Sequence, residues 1–413
     1  MTTKLTTLST PPKSAFFSQY GPGIIMASSC VGGSHIIAST QAGVYYGWQL
    51  AGLIVLVNAL KYPFFRLAFD YANQNDKTLL AGYAERGRGY LMLFLVFNMF
   101  ATVVNVAGGT LLSAVLLGMM MGQGVPLPML NAIIMISFVW LIFGKQYQKL
   151  DHISKFIMLA LSVITLVALV MVMANPTPSA PVSPPSPWVW SAVPFLVALM
   201  GWMPAPMELS VSSSLWIAEK NKINPDYKHR YRRDFNVSYA VSVVLALMFM
   251  ALGAMVAIGD GEPLQGGKFV GEFVGMYAHA IGEWTRLPML FVAFVCIYGT
   301  TIVAVDGYSR GNQQAVAILQ NRPLDDNTQQ KHLRYWTLGS LLMAGVVIGL
   351  FGGMVGKMIA FAMTLSFLFA PVFAWLNWGL RHKCSPQPVW VNVLAYVGLL
   401  YLVAMVGLYL GSR

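Results

Sequence analysis

GPGIIMASSCVGGSHIIASTQAGVYYGWQL, residues 21–50, is apolar enough to enter a membrane, yet carries Gly32-Gly33-Ser34-His35 near its middle. Crossing about 30 Å of hydrocarbon takes about 20 helical residues. In lipid, every backbone N–H and C=O must find a partner within the protein. Paired glycines at mid-span therefore mark a place where the helix opens and its freed groups line a cavity or meet protein partners. GWMPAP (201–206) repeats the feature with two prolines in another apolar stretch, since proline lacks an N–H and clashes with the preceding turn. Interruptions at corresponding positions of two halves point to a transporter site built from inverted repeats. The competing reading is a pair of kinks that ease helix packing.

The surrounding chain has the same character. Of 413 residues, 57% are apolar and 10% charged, whereas a soluble domain carries about 25% charge. Apolar runs at 21–45, 47–69, 90–119, 125–144, 153–174, 188–217, 237–259, 287–306, 335–355, 357–379 and 389–411 predict an all-α integral membrane protein with about eleven transmembrane helices. The implied units are an N-terminal tail (1–20), a five-helix repeat (21–174), the proline-rich outer loop NPTPSAPVSPPSP (175–187), a second five-helix repeat (188–379), and a loop with an eleventh helix (380–413).

The net charge of +11 follows from topology. With the N-terminus inside, 21 Lys and Arg residues fall on the inner side, and Lys268, Arg286, Lys357 and Arg413 on the outer side. This asymmetry predicts an integral protein of the plasma (inner) membrane, N-terminus cytoplasmic and C-terminus outside. HRYRRDF (229–235) belongs to that inside signal, so no nucleic-acid partner is expected; the partners are the lipid bilayer and a small-molecule or ion substrate. Residues 1–20 lack the apolar core of a signal peptide. Cys30, Cys296 and Cys384 follow no disulfide or zinc spacing. No nucleophile–base constellation or phosphate loop suggests an enzyme, and no cofactor is called for.

Residues 21–50 resemble the first helix and following turn of NRAMP-type divalent-metal transporters, in the opening GPG, the spacing to the break, and the later TQAG and GW-QL. GWMPAPMELSVSSSL (201–215) resembles the sixth-helix segment of that family, YQKLD (147–151) its Tyr-x-x-Leu-Glu, and YGTTIVAVDGYSRG (298–311) the end of its eighth helix. The resemblance implies the leucine-transporter fold of the APC superfamily, with helices 1 and 6 unwound. It also implies where the metal chemistry should be. The family's Asp-Pro-Gly-Asn break aligns with Gly32, Gly33, Ser34 and His35, and its sixth-helix backbone and thioether ligands align with Trp202 and Ala205, its His with Met207. The helix-3 acids align with Val103 and Val106, within Ala101–Val106, and the helix-10 Gln aligns with Phe369. The scaffold is retained while the carboxylate, amide, thioether and proton-relay acids have changed.

A divalent-cation site normally includes an anionic ligand, and these breaks offer none at the aligned positions. Gly32, Gly33 and Ser34 instead offer backbone amides at the start of a second half-helix, a natural seat for a carboxylate or small oxyanion. His35 adds a donor, while Trp202, Met203 and Ala205 shape the pocket. The expected function is an NRAMP-related secondary transporter that has lost its metal site and moves a small anionic or zwitterionic solute (a carboxylate, bicarbonate or an amino-acid derivative) by alternating access. Glu208, Lys61 and Asn105 are coupling or gating candidates, with H+ or Na+ as the coupling ion. Lys61 either snorkels inward or pairs inside the bundle, and Asn105 and Thr110 bond the solute or neighbouring helices. Asp306 suggests a membrane-edge salt bridge beside Arg310. The alternatives are a divalent metal transporter with a site rebuilt from His35, Glu208 and Met207, and a non-transporting membrane sensor.

Overall fold

The computed structural model describes residues 21–122, 124–144, 147–174, 184–256, 267–321 and 326–412. The expected tail (1–20) and most of the proline-rich loop (175–183) lie outside the described residues. The first span is split into α1 (Pro22–Cys30) and α2 (Thr40–Tyr46), with wide π-type turns over Gly33–Ser39 between them. The chain continues through α3 (Ala51–Asn75), α4 (Leu79–Arg86), α5 (Arg88–Met121), α6 (Leu127–Phe143) and α7 (Tyr147–Ala174). A second split span follows as α8 (Val193–Trp202) and α9 (Leu209–Ile223), then α10 (Tyr231–Met255), α11 (Gly267–Ile281), α12 (Arg286–Leu319), α13 (Asp326–Leu350), α14 (Val355–Trp378) and α15 (Val389–Gly411).

Both predicted interruptions are present. Gly32 is neither helical nor extended (φ −141°, ψ −127°), and Met203 leaves α8 in the β region (φ −93°, ψ 122°) ahead of Pro204. The uninterrupted helices depart from the apolar runs mainly by running past the hydrocarbon with polar turns: α3 reaches Asn75, α12 reaches Leu319, and α10 starts at Tyr231.

The broken spans lie among the other helices. α10 packs on α1 and α2, α14 on α8, and α12 on α5 and α9. Small residues set the closest approaches: a Cβ on Gly43 would overlap the Met250 carbonyl, and one on Gly253 the Thr40 carbonyl. The outer helices carry exposed apolar side chains such as Ile136, Phe156, Leu342 and Leu400, suited to lipid contact. Tyr62, Phe65, Phe235 and Tyr239 pack with edge and tilted ring contacts at the α3–α10 interface.

Candidate functional site

A cavity of about 80 Å³ opens where the two breaks face α5 and α12, enough for a few water molecules or a small solute. The first broken span contributes Ser29, Gly33 and Ser34; the second contributes Trp202, Pro206, Leu209 and Ser212. α5 adds Asn105, Gly109 and Leu112. The facing wall is one stripe of α12, Ile297, Thr300, Thr301, Ala304 and Tyr308, at the three- and four-residue spacing of a single helix face. The polar lining is therefore hydroxyls, one amide and an indole N–H, with no ionised side chain.

Asn105 organises this lining. Its amide nitrogen donates to Glu208 Oε1 and to the Tyr308 hydroxyl, both at 3.0 Å. Its oxygen accepts from Trp202 Nε1 at 2.9 Å and from Ser366 Oγ at 3.1 Å. Both donors and both acceptor positions of the amide are thus used. Tyr308 in turn donates to Glu208 Oε1 at 3.0 Å, and Glu208 Oε2 is buried with no partner. The network ties α5, both halves of the second broken span, α12 and α14 to one another. It holds the indole over Gly33, where a Cβ would run into the ring.

The carbonyl ends of the two first half-helices are occupied by donors from the chain itself. At the end of α1, the Cys30 carbonyl receives the Ser34 hydroxyl, lies 2.6 Å from His35 Nδ1, and accepts from Gly32 N at 2.9 Å. At the end of α8, Lys61 Nζ donates to the Met200 carbonyl at 2.6 Å and to the Gly201 carbonyl at 3.2 Å. Ser34 Oγ also lies 3.3 Å from the Pro204 carbonyl, joining the two breaks.

Of the residues singled out from sequence, Gly33, Ser34, Trp202 and Asn105 line the cavity. Gly32 is beside it, its Cβ position facing Thr300. Met203, Ala205 and Met207 are buried outside the lining. His35 is turned away: Nε2 lies 2.7 Å from the Ser242 carbonyl of α10 and the ring meets Phe249 edge-on. The π-type turns explain this, because a wider turn carries successive side chains to different faces than α-helical counting suggests. Lys61 is fully buried and does not snorkel. Thr110 bonds no neighbour, its buried hydroxyl being without a partner. Asp306 pairs with Arg310 at 2.7 Å. Among the described residues, no group of three or more His, Cys, Asp or Glu side chains is placed to hold a metal ion.

Sequence reasoning missed Ser212, Thr300, Thr301, Tyr308 and Ser366. The signal for Thr300, Thr301 and Tyr308 is their shared helical face within YGTTIVAVDGYSRG (298–311); Ser212 and Ser366 carry none.

No protein-family model matches the chain. It is 41% identical over 409 residues to the "Uncharacterized protein PM0681" of Pasteurella multocida (strain Pm70), covering 96% of this chain and 93% of that protein. The chain belongs to the family of PM0681. Among solved structures, it is similar to an Eremococcus coleocola manganese transporter in complex with an aromatic bis-isothiourea compound (TM-score 0.67, 14% identity, 97% of this chain and 88% of that one). It is also similar to the nucleobase-cation-symport-1 family transporter Mhp1 with bromovinylhydantoin bound (TM-score 0.60, 13% identity, 95% and 91%). MhsT in complex with L-phenylalanine is a further neighbour (TM-score 0.59, 10% identity, 96% and 99%). The PM0681 relative and this chain therefore share a family, and the chain has the leucine-transporter fold of an all-α membrane protein.

Proposed function

We propose that the protein is an NRAMP-related secondary transporter that carries a small anionic or zwitterionic solute, such as a carboxylate, bicarbonate or an amino-acid derivative, by alternating access. Residues 21–174 and 188–379 are taken as its two inverted repeats, with the split spans rocking against the remainder. The N-terminus is assigned to the cytoplasm of a cell whose plasma (inner) membrane holds the chain, from the 21 basic residues on that side. Transporter neighbours support the general activity.

One observation carries the choice of solute. In carriers with discontinuous helices, freed carbonyls at half-helix C-termini coordinate the cation, while half-helix N-termini receive anionic groups. Here the carbonyl ends of α1 and α8 are filled by Ser34, His35 and Lys61. Gly33 and Ser34, which start the next half-helix, face the cavity. A rebuilt metal site on His35, Glu208 and Met207 is less well supported: both His35 nitrogens face carbonyls, and Glu208 Oε1 is held by Asn105 and Tyr308. Glu208, next to the cavity with one free oxygen, is the assigned carrier of a coupling proton.

The test is uptake into proteoliposomes of labelled bicarbonate, short carboxylates and amino acids, measured beside manganese. Saturable uptake of one of these solutes, reduced at least tenfold by Asn105→Ala, is expected. Robust manganese flux or micromolar manganese binding would overturn the reading, and saturable solute binding in detergent with no flux would make the protein a sensor.

A further inference from the structure

Lys61 has no ordinary reason to be where it is. A lysine in a membrane span is costly and normally reaches for the interface or a carboxylate. This one is fully buried; the buried Glu208 carboxylate acts on it electrostatically, yet among the described residues no carboxylate is paired with it. Its partners are two carbonyl oxygens, Met200 O and Gly201 O, at the C-terminal end of α8. That end carries about half a negative charge from the aligned peptide dipoles, and the break at Met203 removes the next turn that would have satisfied its carbonyls.

We infer that Lys61 is a tethered cation in a monovalent-cation seat, so that the protein carries its own occupant for the break in the second split span and needs no Na+ there. The inference stands on this geometry whether or not a solute is transported. Three features favour a seat over a chance contact. The carbonyls are held from behind: Gly201 packs so closely on α14 that a Cβ would overlap the Met363 carbonyl. The Met200 side chain is also fixed, accepting from the Tyr401 hydroxyl of α15 at 2.9 Å. One turn before Lys61 on α3, Asn58 is buried and its Oδ1 has no partner, an uncharged oxygen on the neighbouring turn of the same helix. Removing the ammonium should therefore leave a preformed set of oxygens instead of a collapsed apolar gap.

The experiment compares thermal unfolding of the full chain in detergent, at equal ionic strength, in choline, sodium and methylammonium chloride. Wild type is expected to melt at the same temperature in all three. Lys61→Ala is expected to melt several degrees lower in choline and to recover saturably with sodium or methylammonium, as linkage requires of a ligand that binds only the folded state. Lys61→Gln keeps an N–H donor and fills the space without charge, so it should be intermediate and insensitive to the cation. Two results would overturn the inference: a wild type stabilised by sodium as strongly as Lys61→Ala, or a Lys61→Ala protein that no cation stabilises. Failure of Lys61→Ala to fold in every salt while Lys61→Gln folds belongs with the second result.

Discussion

At Gly33 the absence of one carbon decides whether the cavity has its shape. A Cβ there would collide with the Trp202 ring, and that ring is pinned by hydrogen bonds from Nε1 to Asn105 at 2.9 Å and Ser366 at 3.2 Å. Overpacking of this kind costs about 1–3 kcal/mol when side chains can yield. Gly33→Ala is expected to fold, to melt several degrees lower and to lose most solute uptake, with Trp202 displaced. Unchanged melting and uptake would show that the indole moves aside freely. Gly43→Ala makes the contrast, because its obstacle is the Met250 carbonyl, backbone that cannot rotate away. At this scale the candidate site was only partly readable. Gly33, Ser34 and Trp202 could be named from the helix breaks, and Asn105 as an amide in an apolar run. The direction of His35 could not, because it depends on π-type turns that composition does not announce.

Among the elements, α1 depends on an anchor supplied far along the chain. Its N-terminal amides are received by Asp234 at the start of α10: Gly23 N at 2.9 Å and Gly21 N at 3.2 Å, with the Tyr227 hydroxyl at 2.7 Å on the same oxygen. A carboxylate at a helix N-terminus contributes about 0.3–1 kcal/mol, and about 2 where partly buried. Asp234 is almost fully buried. Asp234→Ala is expected to speed amide hydrogen exchange across residues 22–30 while α5 and α12 stay protected, and to lower the melting temperature by a few degrees. Unaltered exchange over 22–30 would show that α1 is held by packing on α10 alone. The breaks and long spans were visible beforehand because lipid demands long apolar runs. α4 and α11 were not, since each buries one face only: Leu79, Leu80 and Tyr83 in α4, Phe269, Phe273 and Tyr277 in α11. Their polar faces dilute any average over the segment. Asp234 was likewise read as part of an inside-loop charge run, because a cap between residues more than 200 positions apart leaves no local pattern.

Across the whole molecule, the loop side that carries Glu85 is where early and late parts of the chain are tied by charge. Glu85 of α4 receives Lys77, which follows α3, at 2.6 Å, and Lys383, which follows α14. Asn75 Nδ2 donates to the Lys383 carbonyl at 3.1 Å, and the Ser385 amide donates to Gln74 at 2.6 Å. The hydrogen bonds from Lys383 and Lys77 hold the Glu85 carboxyl below its ordinary value of about 4.5. The sign follows from linkage. A carboxyl whose pKa is depressed on folding adds stability that is present above its unfolded value and is lost as the pH falls through the folded one. The contribution is therefore complete at neutral pH and disappears on the acid side of about 4.5. It is also small, because the group is partly exposed and solvent screens exposed pairs. Glu85→Gln should melt slightly below wild type at pH 7, with the difference shrinking as the pH is lowered past 4.5 and as salt is raised. Melting curves of the two proteins in detergent from neutral pH to the acid limit check this. A gap that stayed constant across the series would assign Glu85 to packing, and the α14–α15 link would then be held to this side by the uncharged bonds of Asn75 and Gln74 at the end of α3.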